Sequence, residues 1–493
     1  MRQWFHTQSG GAWERHIQNL SKRLWCGALV FSSLAVPSLS WSDESPVLRE
    51  QIVAGEELFL REWTVGDKRS VAGDGLGPMY NAASCVKCHR LGGVGGGGTN
   101  EENVDLLTVV APRTSAGRKA LTDRLGDFHP ALVAGGRRSA TTVLHRFSPD
   151  PSYEAWRQRI VAGDQPPTDE VLTLIGAVVE RGGKPATSLR RLDGVGYRPT
   201  QRNTPALFGA GLIDALPDAV WEELEARQTA AGEVSGRVPR AAGGNVGRFG
   251  WRGQTSTLHE FVLGACAVEL GLQAPGHPQP MDPLLATTDQ EANQRPKPDD
   301  ALDIDDEQCR ALSEYVAHLP SPARVLPSDP AAAETAARGE ERFTQIGCAA
   351  CHVRQVAEVS GIYSDLLLHD MGKGMEDPVP ANPPGRSNSS GSYYGGVDTL
   401  FATVAPELRR EWRTPPLWGI RDSAPYLHDG RAQSLSEAVG WHGGEAAQSA
   451  RKFQNLTKPA QEDVLFFLSC LAAPSAASLQ LESMISLAER AQR

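Results

Sequence analysis

"CVKCHRLGGVGGGG" (residues 85–98) sets two cysteines and a histidine directly ahead of a run of glycines, and "CAACH" (348–352) repeats the Cys-x-x-Cys-His pattern in the second half of the chain. This spacing attaches a c-type haem. The two thiols add to the vinyl groups, and the adjoining histidine falls where its imidazole ligates the iron. A zinc site needs four ligands, usually two pairs close in sequence, and these motifs lie in opposite halves of the chain. A thioredoxin-like redox pair expects a strand before it and a helix after it, which neither glycine-rich flank supplies. The motifs therefore predict two covalently bound haem c groups, attached at Cys85 and Cys88 and at Cys348 and Cys351, with His89 and His352 as proximal ligands. The glycines read as a flexible loop.

Outward from the two motifs the halves repeat a common plan. "GEELF" (55–59) precedes the first motif and "GEERF" (339–343) the second. "RNTPALFGAGLID" (202–214) and "RTPPLWGIRDSA" (413–424) follow, then "GWRGQTSTLHEFV" (250–262) and "HDGRAQSLSEAV" (428–439). Each half closes on an apolar-periodic segment before a proline, "QCRALSEYVAHLP" and "EDVLFFLSCLAAP", suited to a terminal helix. The expected fold is mainly α, two tandem cytochrome c-like haem domains with long Gly/Pro-rich loops. The boundaries read as an N-terminal domain over 43–320, a Pro/Ala/Ser-rich linker over 321–335, a C-terminal domain over 336–475 and a tail over 476–493. "APGHPQPMDP" and "EDPVPANPPGRSNSSGSYYGG" read as loops within the halves.

Of 493 residues, 40% are hydrophobic and 22% charged, a globular composition long enough for more than one core. The net charge of −10 carries no basic footprint for a phosphate backbone, which excludes nucleic acid as a partner. Residues 1–42 run from "SKR" through the apolar "LWCGALVFSSLAV" to Pro37 and small residues, the order of an export signal cleaved near Ser40 to Ser42. That apolar run is shorter than the roughly 20 residues a membrane span requires. The expected mature protein is periplasmic or secreted, with no stable membrane span. Cys26 falls within the signal, so beyond the two motifs three cysteines remain. Cys266 and Cys309, each in a helix-like stretch of the same half, are the candidate disulfide, and Cys470 in "VLFFLSCL" reads as a buried small hydrophobe.

These strings resemble the bacterial di-haem cytochrome c peroxidase and MauG superfamily, and most of all its di-haem oxidoreductase branch. The most specific of them is "RTPPLWGIRDSAPYLHDGRAQSLSEAV" followed by "HGGEA", with "RNTPALFG", "GRFGWRGQTSTL" and "SDLLLHDMG" in support. The likeness is weakest over residues 99–200. In the family the second haem takes its distal ligand a few residues after the "HDG" string, a methionine in the peroxidases and a tyrosine in MauG. Here that place holds His442, which implies a bis-histidine, low-spin, lower-potential haem, with Met371 and His369 as competitors. The matching place in the first half is Ala265, which cannot bind iron, so the resemblance implies an open distal side there. Trp251 and Glu269 resemble the family's inter-haem tryptophan and distal acid, with Glu260 as the fallback acid. The resemblance also implies a calcium ion held by Asn203, Thr414 and Pro416, donors of the kind calcium prefers. His129 and His145 are further candidates for a distal ligand released on activation.

The function implied is a peroxidase-like di-haem oxidoreductase, with peroxide as oxidant and a small redox protein or other donor supplying electrons. The alternatives are a non-catalytic electron-transfer cytochrome and MauG-like oxidation of a partner protein or organic substrate.

Overall fold

A computed structural model describes residues 46–136, 138–164, 189–284, 301–322, 324–379 and 405–474. The expected signal, the C-terminal tail and most of the 376–396 loop lie outside these described residues. From Arg49 onward the chain forms a single contact unit.

The two "GEE" strings do the same mechanical job. Gly55 lies in the helix Pro46–Leu60, and a Cβ there would stand 2.0 Å from the Ala311 carbonyl oxygen of the helix Asp306–Ala317. Gly339 lies in the helix Pro330–Gln345, and a Cβ there would stand 2.0 Å from the Asp463 oxygen of the helix Lys458–Ser469. Each glycine lets a leading helix press its backbone against a closing helix. The second pair buries Phe343 against Phe467, whose rings meet edge-on at 5.4 Å. Truncating the fully buried Phe467 to alanine would cost about 3–5 kcal/mol. The helix Pro330–Gln345 begins inside the expected linker, because Asp329 caps it by accepting from the Ala332 N–H at 3.0 Å and Pro330 occupies its first turn.

The later repeat strings also fold alike. Thr257 accepts from the Glu260 N–H to open the helix Leu258–Glu269, and Ser434 accepts from the Glu437 N–H to open Leu435–Gly440.

The expectation of a mainly α chain built as two tandem cytochrome c-like domains is corrected on two counts. First, four strands of the first half form an antiparallel sheet, ordered β2–β1–β4–β3, from β1 (Val104–Val109), β2 (Thr141–Val143), β3 (Arg190–Leu192) and β4 (Val195–Arg202). Leu106 pairs with Thr200 and Val143, so β1 is central and almost wholly buried. The helices Ser115–Phe128 and Tyr153–Ala162 belong to the same subdomain, whose core joins Leu107, Leu125, Ile160 and Tyr197. A strand buried on both faces shows little period-two alternation, which is why this segment did not read as β. Second, the largest core mixes the halves: Leu58, Trp63, Leu263 and Leu312 pack with Val356, Ile362, Leu366 and Trp418. A separate cluster around Phe343, Tyr363, Phe453 and Phe467 backs the second haem motif.

Candidate functional site

At the first motif, Cys85–Cys88 is a single helical turn, and the His89 N–H donates to the Cys85 carbonyl at 3.0 Å. The His89 ring lies 3.1 Å through Nδ1 from the Gly96 carbonyl. A carbonyl only accepts, so Nδ1 carries the proton and Nε2 keeps its lone pair, as an iron ligand requires. Burial pushes the His89 imidazole down to about 4, which keeps it neutral.

The glycine run is a clasp on this histidine, which corrects its reading as a flexible loop. The Gly95 N–H donates to the His89 carbonyl at 3.0 Å, and Leu91 pairs with Gly97 across a tight turn. A Cβ on Gly96 would lie 1.8 Å from the Leu91 oxygen, so only glycine permits the turn that presents the Gly96 carbonyl to the ring.

The cavity beside His89 is lined by Cys85, Cys88, Asn203, Trp251, Ala265 and Glu269, among others. Three of the residues singled out by the resemblance, Trp251, Ala265 and Glu269, therefore meet at one place. Glu269 ends the helix Leu258–Glu269, and its carboxylate accepts from Asn81 Nδ2 at 2.7 Å. Trp251 Nε1 donates to the Asn203 carbonyl at 2.9 Å. The fallback Glu260 stands a little over two helical turns earlier, exposed, with its carboxylate 3.5 Å from His277 Nε2. It does not line the cavity.

His129 and His145 do not line it either. His129 caps the helix Ser115–Phe128 with its ring edge-on to Trp156, and His145 Nε2 donates to the Val268 carbonyl at 2.9 Å. Burial drives both imidazoles well down, to about 3 and about 4.

The expected Cys266–Cys309 disulfide is also corrected, since both stand as free thiols within the main apolar core. Burial there pushes both up, Cys309 to about 12, and so disfavours the thiolate that disulfide exchange requires. Cys470 is a buried free thiol, as read from its apolar setting.

At the second motif, the His352 N–H donates to the Cys348 carbonyl at 2.9 Å, and Nδ1 donates to the Tyr363 carbonyl at 2.9 Å. Opposite stands His442, just past the helix Leu435–Gly440, with Nδ1 donating to the Ala438 carbonyl at 2.8 Å. Both rings thus spend Nδ1 outward, leaving Nε2 free to accept, and burial lowers both, His352 to about 4. Their centroids are 6.4 Å apart. An imidazole bound through Nε2 at about 2.0–2.1 Å has its ring centre about 3.2 Å from the metal, so two rings flanking one iron stand about 6.4 Å apart. The residues present fit a bis-histidine haem.

His369 does not compete as a ligand. Its Nε2 lies 2.9 Å from Asp365 and its Nδ1 3.0 Å from Glu445, and Cys351 Sγ is 3.8 Å away. Burial would lower its pKa, but the hydrogen bonds to Asp365, Cys351 and Glu445 raise it well above the ordinary histidine value. Both ring nitrogens are engaged by carboxylates, Nε2 by Asp365 and Nδ1 by Glu445, so neither is turned to the iron site at His352. Sequence reading missed both carboxylates of this arrangement. The Asp365/His369 spacing in "SDLLLHD" was a visible hint, whereas Glu445 in "HGGEA" gave none.

Asn203, Thr414 and Pro416 were expected to hold calcium. The Asn203 amide is oriented by Nδ2, which donates to the Pro425 carbonyl at 2.6 Å, and its buried Oδ1 has no hydrogen-bond partner among the described residues. The Thr414 carbonyl accepts from the Ser364 hydroxyl at 2.7 Å. Trp251 connects the two segments: its Nε1 donates to Asn203, and its carbonyl accepts from the Arg413 N–H at 3.1 Å. An orphaned, buried oxygen is the donor type calcium takes, so Asn203 fits, while Thr414 already spends one lone pair.

Two places that each set a partly buried imidazole beside a Cys-x-x-Cys pair are the framework of a haem-binding redox protein. Residues 403–471 match the family described as "Di-haem oxidoreductase, putative peroxidase". It is 28% identical over 120 residues to the gamma subunit of hydrazine synthase from Kuenenia stuttgartiensis, covering 23% of this chain and 34% of that one. It is 26% identical over 255 residues to a cytochrome-c peroxidase of Pseudomonas sp. (strain SCT), covering 45% of this chain and 64% of that one. The chain therefore spans about a third of one curated relative and under two thirds of the other. Among solved structures, a MauG-like protein associated with microbial copper homeostasis aligns with 34% of this chain and 53% of its own at 18% identity and a TM-score of 0.23. No helix among the described residues is long and apolar enough to cross a membrane.

Proposed function

We propose that the protein is an exported di-haem c-type oxidoreductase of the peroxidase kind, with a reactive site at His89 and an electron relay at His352/His442. The observation that carries this reading is the asymmetry of the two sites. His442 faces His352 at the separation of a shared iron, whereas the His89 cavity is walled by Ala265, which offers no ligand, and by the carboxylate of Glu269.

Haem c, attached through Cys85/Cys88 and Cys348/Cys351, supplies the redox iron at each place. The chain's own residues do the rest. Nδ1–H to carbonyl bonds hold His89, His352 and His442 in the ligating tautomer. Glu269 acts as general acid and base, taking a proton from peroxide and returning it to the leaving oxygen. Over one turnover, two electrons from a small redox protein and two protons reduce one peroxide to two waters. Trp251 lines the reactive cavity, and its carbonyl bonds Arg413 of the second half, which makes it the candidate link between the sites. A calcium ion bound at Asn203 Oδ1, with the carbonyls of Thr414 and Pro416, would brace the same junction. The export reading rests on the residue pattern of positions 1–42 and places the function in the periplasm or outside the cell.

Low-temperature ferric EPR of the haem-loaded protein, paired with a pyridine haemochrome count, tests this assignment. The expected result is two haems per chain, one high-spin or weakly ligated and one low-spin. Glu269→Gln should lower peroxide turnover by roughly 10²–10⁴-fold with both haem spectra intact. Low-spin signals alone, with no high-spin component before or after one-electron reduction, would make the protein an electron-transfer cytochrome. Oxidation of a protein or organic substrate at the expense of peroxide would make it MauG-like.

A further inference from the structure

The carboxylate of Glu269 is held by a residue that lies four positions before the first motif. Asn81 Nδ2 donates to Glu269 Oε2 at 2.7 Å, and the backbone N–H groups of Asn81 and Ala82 donate to the Glu269 carbonyl at 2.7 and 3.2 Å. The orientation of the Asn81 amide follows from its other side. Asn81 Oδ1 accepts from the Arg146 backbone N–H at 3.0 Å. A backbone N–H can only donate, so the amide oxygen must face Arg146 and the NH₂ must face the carboxylate.

Arg146 belongs to the segment that leaves β2 of the added sheet, and that segment is fastened on every side. Phe147 and Tyr80 exchange backbone hydrogen bonds at 2.9 and 3.1 Å. His145 Nε2 donates to the Val268 carbonyl at 2.9 Å, one residue before Glu269. The Arg146 guanidinium donates to the Asn103 carbonyl at 2.8 Å, at the edge of β1. Residues 145–147 therefore touch both the strand of chain that bears Asn81 and the end of the helix that bears Glu269.

We infer that Asn81 is a positioning residue for Glu269, and that the 104–202 sheet subdomain, through Arg146, fixes the pose in which this carboxylate faces the reactive cavity. The inference rests on the acid–base role proposed above for Glu269. It gives the segment with the weakest family likeness a task in the reaction: the sheet orients an amide, and the amide orients the acid.

Asn81→Asp is the discriminating variant, because it retains an oxygen for the Arg146 N–H and nearly the same shape while removing the donor that faces Glu269. The expected result is a peroxide kcat reduced roughly 10–10²-fold, the scale of a catalytic group misplaced by about an ångström, with KM within about twofold. Two haems per chain and unaltered ferric spectra should accompany it. In a Glu269→Gln background the same substitution should change kcat by less than about twofold, since the group it positions is already gone. Asn81→Ala is the second variant and should show the same kcat loss and the same non-additivity. Wild-type kcat in Asn81→Asp, beside a Glu269→Gln variant that is strongly impaired, would overturn the positioning role and leave the acid–base role standing. An equal loss in the Glu269→Gln background, or loss of haem, would show that Asn81 is merely structural and would also overturn it. A silent Glu269→Gln would remove both.

Discussion

Asp377→Asn tests whether the two halves share one fold. Asp377 meets Arg202 in a two-pronged ion pair, Nη1 to Oδ2 at 3.0 Å and Nη2 to Oδ1 at 2.9 Å. The two side chains are only 3% and 4% exposed, and they tie the end of β4 in the first half to the second half. Breaking one partner of such a pair leaves a buried guanidinium without its counter-charge, at a cost of about 3–5 kcal/mol. Asparagine keeps one acceptor, which points to the lower end, about 3 kcal/mol. With unfolding entropy near 2.1 cal/mol/K per residue over a chain of this size, that loss lowers Tm by roughly 3 °C.

The assay is thermal unfolding of the haem-loaded protein followed by far-UV circular dichroism. Replacing both partners with apolar residues, Arg202→Met with Asp377→Leu, should cost less than Asp377→Asn alone, because no lone charge is left behind. The pH dependence has a definite sign. Burial raises the Asp377 carboxyl, but the Arg202 charge and hydrogen bonds outweigh it and hold it below the usual carboxylate range. The stability it contributes is therefore full above the unfolded value of about 3.9 and is lost as pH falls through the folded value. Wild type should lose stability more steeply than Asp377→Asn on acidification below about pH 4. A Tm change under about 1 °C, or parallel pH curves, would refute the argument.

His442→Ala should convert one of the two ferric haems from low-spin to high-spin, with millimolar-range imidazole restoring it; an unchanged low-spin share would show that His442 is not the axial partner. Gly96→Val should halve the haemochrome count from two to one per chain, because its Cβ collides with the Leu91 oxygen and shifts the carbonyl that holds His89. Full loading would mean the clasp is dispensable. Thiol titration of the haem-loaded protein in denaturant without reductant should find Cys266, Cys309 and Cys470 all titratable, and two thiols fewer if Cys266 and Cys309 are bridged. In the native protein all three should react slowly, since burial raises each of them.

The candidate site was legible in the sequence wherever chemistry is carried by short, local spacing. Cys85-x-x-Cys88-His89 and its twin, and the capping Thr257 and Ser434, each act within a turn or two of their own position. Asn81 and Arg146 left no trace, because an asparagine before the motif has meaning only once a loop residue 65 positions later turns its amide. His442 could be placed by likeness, but its partnership with His352 across 6.4 Å, and the pinning of His369 by Asp365 and Glu445, exist only in three dimensions.

By itself, then, the sequence determined the two Cys-x-x-Cys-His motifs, the repeated order of helices around them, and the contrast between Ala265 and His442. Those features are one-dimensional: a residue type at a fixed offset, read by local backbone geometry. Only the tertiary structure decided that the largest apolar core draws on both halves, that an antiparallel sheet is built into the first, and that the glycine run closes on His89. Each of these depends on surfaces brought together from distant positions, where burial and close backbone approach outweigh local pattern.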